Sequence, residues 1–160
     1  TGDATELYIY STNSGISIFN IEISEITDFS INNSNLKNTV TELSLENILG
    51  IYAQRLDFSS YTSLTKLIIK DSSIAFMPKI YRKLAYLDLS NNTIEDIENI
   101  TSGVILNYID LKNNRIMSFD PLRELSNITN LYVNNNNVYR GIIDDASSTE
   151  VFIYPYGTPR

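Results

Sequence analysis

Cysteine and histidine are both missing from the 160 residues. Without cysteine there are no disulfides, no thiolate metal ligands and no cysteine nucleophile. Without histidine there is no imidazole metal site, no His-based triad and no side chain whose ordinary pKa suits proton transfer near neutrality. Hydrolytic chemistry would fall to carboxylates, Lys, Ser or Tyr alone. The composition therefore points away from an enzyme, and no cofactor or metal is expected.

Positive charge is scarce as well. Twelve Lys plus Arg against 19 Asp plus Glu leave a formal charge of −7, the wrong sign for neutralising phosphates, so nucleic acid is not an expected partner. No run of about 18 apolar residues occurs, so no transmembrane helix is expected. Charged residues make up 19%, below the roughly 25% of an average domain, whereas Asn, Ser, Thr and Tyr are plentiful. A surface built from amides and hydroxyls favours an extracellular or cell-surface setting, with the cytoplasm as the alternative. The chain opens on Thr1 without a signal-peptide pattern, which reads as a processed chain or a segment of a longer protein.

What the chain does have is a hydrophobic fraction of 42%, enough for one domain with a real core, and a repeat. The pattern is apolar, two residues, apolar, one, apolar, two, then Asn or a small polar residue, one, apolar. It runs through Leu84, Leu87, Leu89, Asn92 and Ile94, then Leu106, Ile109, Leu111, Asn114 and Ile116, then Ile128, Leu131, Val133, Asn136 and Val138. Leu64, Leu67, Ile69 and Ile74 fit with Ser72 at the Asn position. Ile26, Phe29, Ile31, Ser34 and Leu36 also fit, and Val40, Leu43 and Leu45 fit with Ile48 at the polar position. Weaker copies surround Leu7 with Ile9, and Val151 with Ile153.

This pattern resembles the leucine-rich repeats. The stretch after Asn114, with Ile116, Phe119, Leu122, Leu125 and Ile128 around Pro121, is similar to the 22-residue repeats of internalins and of leucine-rich protein phosphatase regulators. The resemblance implies a β-dominated α/β solenoid with a right-handed coil. Short parallel strands would line its concave face, and 3₁₀ or irregular segments its convex side.

Physical chemistry gives the pattern the same meaning. Apolar-x-apolar alternates with period two, so each copy holds a short strand buried on one face. The later i, i+3 spacing suits 3₁₀ turns. No copy can bury its own apolar strip, and stacking makes a continuous core. At the inward turn Asn92, Asn114 and Asn136 can stack as a ladder that satisfies buried backbone groups, whereas Ser34 and Ser72 can do so only in part. Strand centres at Leu7, Phe29, Leu43, Leu67, Leu87, Ile109, Leu131 and Val151 are spaced by 22, 14, 24, 20, 22, 22 and 20 residues. The 14-residue step implies an N-terminal cap out of register. The expected organisation is one domain over 1–160 with six to eight coils: a degenerate start over 1–38, regular repeats over 39–147, and a final strand over 148–160. Pro155 and Pro159 end pairing there, and an exposed end coil could support homo-association. Gly103 is expected to thin the core of its repeat, Asp144-Asp145 to lie in a solvated turn, and Tyr81-Arg82-Lys83 to form a solvated basic spot.

In this family the residues between strand leucines form the ligand face. Their first column reads Glu6, Asp28, Glu42, Lys66, Tyr86, Tyr108, Asn130 and Glu150; the second Tyr8, Ser30, Ser44, Ile68, Asp88, Asp110, Tyr132 and Phe152; the third Tyr10, Asn32, Glu46, Lys70, Ser90, Lys112, Asn134 and Tyr154. Glu42 with Lys66 and Glu46 with Lys70 are expected as structural ion pairs. The candidate ligand-binding residues are Tyr86, Asp88, Tyr108, Asp110, Lys112, Asn130, Tyr132, Asn134, Phe152 and Tyr154, because tyrosine with a few fixed charges is what binding hot spots are made of. The alternative is that tyrosines stack there only because aromatics suit strands. Asp88 and Asp110 should be lateral neighbours, but they offer too few oxygens for calcium and no walled cleft for glycosidase-style catalysis. The sequons at Asn32, Asn91, Asn99 and Asn127 are about as many as 19 Asn and 31 Ser plus Thr produce by chance, so they carry no information.

The expected function is recognition of a protein partner with some basic surface through the concave face, as part of a receptor or adhesion protein; the alternatives are an intracellular scaffold resembling the phosphatase regulators and a carbohydrate-binding domain. For the repeat itself, Leu89→Ala should cost roughly 2–5 kcal/mol in denaturant unfolding, as buried Leu truncations do; a loss under about 1 kcal/mol would mean that Leu89 is not in a packed core.

Overall fold

The computed structural model describes residues 20–24, 34–47, 56–100, 104–137 and 150–152. Strands β1 (Asn20–Ser24), β2 (Glu42–Glu46), β3 (Lys66–Lys70), β4 (Tyr86–Asp88), β5 (Tyr108–Asp110), β6 (Asn130–Tyr132) and β7 (Glu150–Phe152) form one sheet. Every pairing is parallel, and the strand order is the order in the chain. Asn20, Glu42, Lys66, Tyr86, Tyr108, Asn130 and Glu150 stand side by side, so each coil takes 20 to 24 residues. Parallel neighbours require the chain to return along the far side of the core each time.

The alternation of apolar and polar residues explains the one-sided burial. Leu43, Leu67, Leu87, Ile109 and Leu131 form one buried row, and Leu45, Ile69, Leu89, Leu111 and Val133 form the next. Leu64, Leu84 and Leu106 enter the core ahead of the strands, and Ile74, Ile94 and Ile116 after the turn. The return segments tighten into three-residue turns. Leu64 N–H donates to Tyr61, Leu84 N–H to Tyr81, and Ile100 N–H to Ile97. Asp120–Glu124 is a full 3₁₀ turn, with Pro121 where a missing N–H costs nothing. Phe119, Leu122 and Leu125 point inward from it.

Buried amides join the coils. Asn92 Nδ2 donates to the carbonyls of Ile69 (2.7 Å), Leu89 (3.0 Å) and Ser90 (3.1 Å), while its Oδ1 accepts from the N–H groups of Ser72 (3.2 Å) and Ile74 (3.1 Å). Asn114 repeats the scheme on Leu89, Leu111, Lys112 and Ile94, and Asn136 on Leu111, Val133, Asn134 and Ile116. At the equivalent place Ser72 Oγ reaches Lys70 carbonyl at 2.8 Å.

A second, exposed ladder runs beside the first and had no counterpart in the sequence expectations. Asn91, Asn113 and Asn135 have φ of 56°, 55° and 59°, the left-handed region that Asn tolerates better than most residues. Asn113 Nδ2 donates to Asn91 Oδ1 at 2.5 Å, and Asn135 Nδ2 to Asn113 Oδ1 at 2.7 Å. Asn47 and Asp71 take the same backbone conformation at the matching turn.

Two expectations near the start of the chain are corrected. The partner of β2 is Asn20–Ser24, 22 residues earlier, and not the segment around Phe29. A 14-residue step leaves too few residues to cross the core and return, whereas Ile21-x-Ile23 supplies the required alternation. Ser34 is likewise no ladder residue, because it begins α1 (Ser34–Thr39) in that coil's return. The expectations at Leu7, Gly103, Asp144-Asp145 and the C-terminal prolines fall outside the described residues.

The two ladders predict unequal costs. Asn114→Ala leaves the buried Ile94 N–H without its partner, at about 1–3 kcal/mol, and takes one of two donors from each of the Leu89, Leu111 and Lys112 carbonyls, at about 0.5–1.5 kcal/mol each, so it should lose at least about 2.5 kcal/mol in chemical denaturation. Asn113→Ala should lose about 1–2 kcal/mol, the cost of a left-handed non-Gly residue, and Asn113→Gly less than that; equal losses at 113 and 114 would contradict this division of labour.

Candidate functional site

The register fixes which positions share the open face. With β1 in place, the first column is Asn20, Glu42, Lys66, Tyr86, Tyr108, Asn130 and Glu150, and the second is Glu22, Ser44, Ile68, Asp88, Asp110, Tyr132 and Phe152. The third holds Ser24, Glu46 and Lys70, continued past the shorter strands by Ser90, Lys112 and Asn134. Asp28, Ser30 and Asn32 do not belong to the strand paired with β2. Phe152 stands beside Tyr132 in register, and Tyr154 lies outside the described residues.

Both expected ion pairs are present, Lys66–Glu42 at 3.5 Å and Lys70–Glu46 at 3.1 Å. Their partners are about half exposed, so each contributes a few tenths of a kcal/mol up to about 1 kcal/mol. Glu46 also holds the Lys70 ammonium above its usual pKa. Ile68 between them is half-buried rather than fully exposed.

The tyrosines form a single row. Tyr86 and Tyr108 stack face to face with centroids 4.0 Å apart and planes 6° from parallel. Tyr132, one column over, leans on Tyr108 at 5.4 Å and 47°. Lys66 Nζ lies 5.3 Å from the Tyr86 centroid, and Lys112 Nζ 5.1 Å from that of Tyr132. A run of rings therefore ends in an ammonium at each side. Each aromatic pair adds about 0.5–1.5 kcal/mol beyond its area, and each ammonium about 0.5–1 kcal/mol at such exposure. Burial raises the Tyr108 hydroxyl pKa first, followed by its hydrogen bond with Tyr86 and the charges of Tyr86, Asp110 and Asp88.

The two aspartates are lateral neighbours, Asp88 opposite Asp110, but their surroundings differ. Asp88 is half-buried, and its Oδ1 accepts from Ser90 N–H at 2.9 Å. Asp110 is only 4% exposed. Its Oδ1 accepts from Lys112 N–H at 3.0 Å and its Oδ2 meets Lys112 Nζ at 3.0 Å. Burial pushes the Asp110 carboxyl upward and the Lys112 hydrogen bonds offset this incompletely, while the Lys112 ammonium is itself raised by Asp110. Asp110 is therefore a support that aims Lys112 at Tyr132 and not a free contact. Asn130 and Asn134 are half-buried at the β6 side of the row, and Thr129 Oγ1 donates to Asn130 Oδ1 at 3.0 Å. The lysine at the head of the Tyr86 column was missed as part of the site, although its neighbour relation is readable from the columns.

Among the described residues no three acidic side chains converge as a metal site, and no helix is long and apolar enough to cross a membrane. One-sided parallel strands in chain order, coils of 20 to 24 residues and a buried asparagine ladder together decide the architecture. The fold is a leucine-rich-repeat solenoid.

No protein-family model matches this chain, and no curated protein matches it. Eighteen chains of solved structures do. One is an internalin (inlF) from Listeria monocytogenes str. 4b F2365, 19% identical with a TM-score of 0.47, over 77% of this chain and 42% of that one. This chain thus spans less than half the length of that internalin.

The buried aspartate makes a signed prediction. A carboxyl whose folded pKa is raised loses stability as it ionises: the penalty is absent below the unfolded value near 3.8, and grows as pH rises through the folded value. Wild type should therefore gain stability relative to Asp110→Asn when urea melts are moved from about pH 7 to about pH 3.5. An unchanged or reversed difference would mean that Lys112 outweighs burial.

Proposed function

We propose that this domain is a non-catalytic recognition module that binds a protein partner through the concave, strand-bearing face. The supporting observation is the ordered row from Lys66 through Tyr86, Tyr108 and Tyr132 to Lys112. Its rings are half-buried and held by neighbours, so a partner gains contact area with little further loss of rotamer freedom. Among the described side chains of this side, the carboxylates of Glu42, Glu46, Asp88 and Asp110 outnumber the ammoniums of Lys66, Lys70 and Lys112. That excess favours a partner with basic surface and speeds its encounter.

The carbohydrate alternative is less well supported by the same geometry. Sugars pack on free ring faces, and the faces of Tyr86 and Tyr108 are taken up by each other, by Lys66 and by Tyr132. An amide- and hydroxyl-rich surface supports a cell-surface receptor or adhesion protein as the setting, over an intracellular scaffold.

Tyr108→Ala removes the middle of the row while leaving the core rows intact. Partner captured by cross-linking from cells that carry the protein should fall at least tenfold for Tyr108→Ala and stay unchanged for Lys79→Ala, which alters an exposed lysine paired with Asp57 on the return side. Thermal unfolding of Tyr108→Ala should report a loss of about 1–3 kcal/mol, the worth of two ring contacts. Equal capture by the two variants would remove the open face as the binding surface.

A further inference from the structure

We infer that Asp88 is the anchor for an arginine side chain of the bound protein segment; this rests on the recognition function proposed above and names the chemistry of its central contact. The charged groups in the three open-face columns from β2 to β5, the third running on to Lys112, carry the inference. Glu42 is paired with Lys66, Glu46 with Lys70, and Asp110 with Lys112. Asp88 is the carboxylate of this set with no ammonium or guanidinium within 4.0 Å among the described residues. Lys70 and Lys112 act on it only through space, because each is tethered to its own carboxylate at 3.1 and 3.0 Å.

The carboxylate is also held still. Ser90 N–H fixes Oδ1, which leaves Oδ2 without a protein partner among the described residues. It lies mid-face, with Ile68 on one side in register and buried Asp110 on the other, and it follows Tyr86 by two positions on β4. A half-buried anion beside an apolar shoulder favours a weakly hydrated, planar cation over a strongly hydrated ammonium, so guanidinium fits better than lysine. The same neighbourhood explains why the tyrosine row contributes ring edges and hydroxyls: its faces are spent on stacking, and the cation of the partner goes to Asp88 instead.

The test uses peptides selected from a displayed random library on the folded chain. The selected peptides should be enriched in arginine and lose at least tenfold in affinity on Tyr108→Ala. They should lose at least tenfold on Asp88→Asn, and as much again on wild type when arginine is replaced by citrulline. The two changes together should cost no more than either alone, the signature of a direct pair. Peptides that need Tyr108 but bind Asp88→Asn and wild type equally, or that tolerate citrulline, would overturn the assignment of Asp88 and leave the binding face standing. Peptides indifferent to Tyr108→Ala, or no selected peptide at all, would overturn both. Thermal unfolding of Asp88→Asn close to wild type keeps a folding defect from passing as lost binding.

Discussion

The asparagine at the inward turn after each of β4, β5 and β6 is the group on which the rest of the molecule depends. A leucine-rich coil must turn its backbone toward the core, where N–H and C=O groups have no water. Asn92, Asn114 and Asn136 answer this in three successive coils. Asn114 Nδ2 serves Leu89 in the preceding coil as well as Leu111 and Lys112 in its own, while its Oδ1 takes the N–H of Ile94. Every such residue therefore ties two coils together while closing its own turn. Leucine burial supplies the larger driving force, but it is non-directional. The amides set the register in which the leucines stack.

The proposed binding face follows from that register. Strands spaced at sheet distance put Tyr86 on Tyr108 in parallel and set Asp88 beside Asp110. Like charges so placed would repel, and the face answers by burying one carboxylate and giving it Lys112. The surplus is left on Asp88. One column thus holds two differently placed carboxylates: Asp110 is buried against Lys112, and Asp88 is half-buried without an ion-pair partner among the described residues.

The central repeats were legible in the sequence because three consecutive copies keep both the apolar spacing and the asparagine. From Lys66 to Asn134, column membership could be read without coordinates. The start of the array was not. Ile26, Phe29 and Ile31 imitate the spacing of a strand, while Ile21-x-Ile23 carries no asparagine downstream to mark it. The fate of Asp110 was equally hidden, since alternation places it on the open face and says nothing of how deeply it is buried beside Lys112. The outer row of Asn91, Asn113 and Asn135 was visible only as doubled asparagines; its meaning needed the left-handed backbone angles.

Amide hydrogen exchange tests the dependence on the inner ladder most directly. The N–H groups of Ile74, Ile94 and Ile116 sit in turns, where amides ordinarily exchange quickly, yet each is bonded to the side-chain oxygen of the next asparagine along the array. The account predicts that these three exchange as slowly as the strand amides of Leu87 and Ile109, through global unfolding alone. Exchange at the rate of exposed turn amides such as Ser60 would contradict it, because the coils would then be held by leucine packing without the ladder.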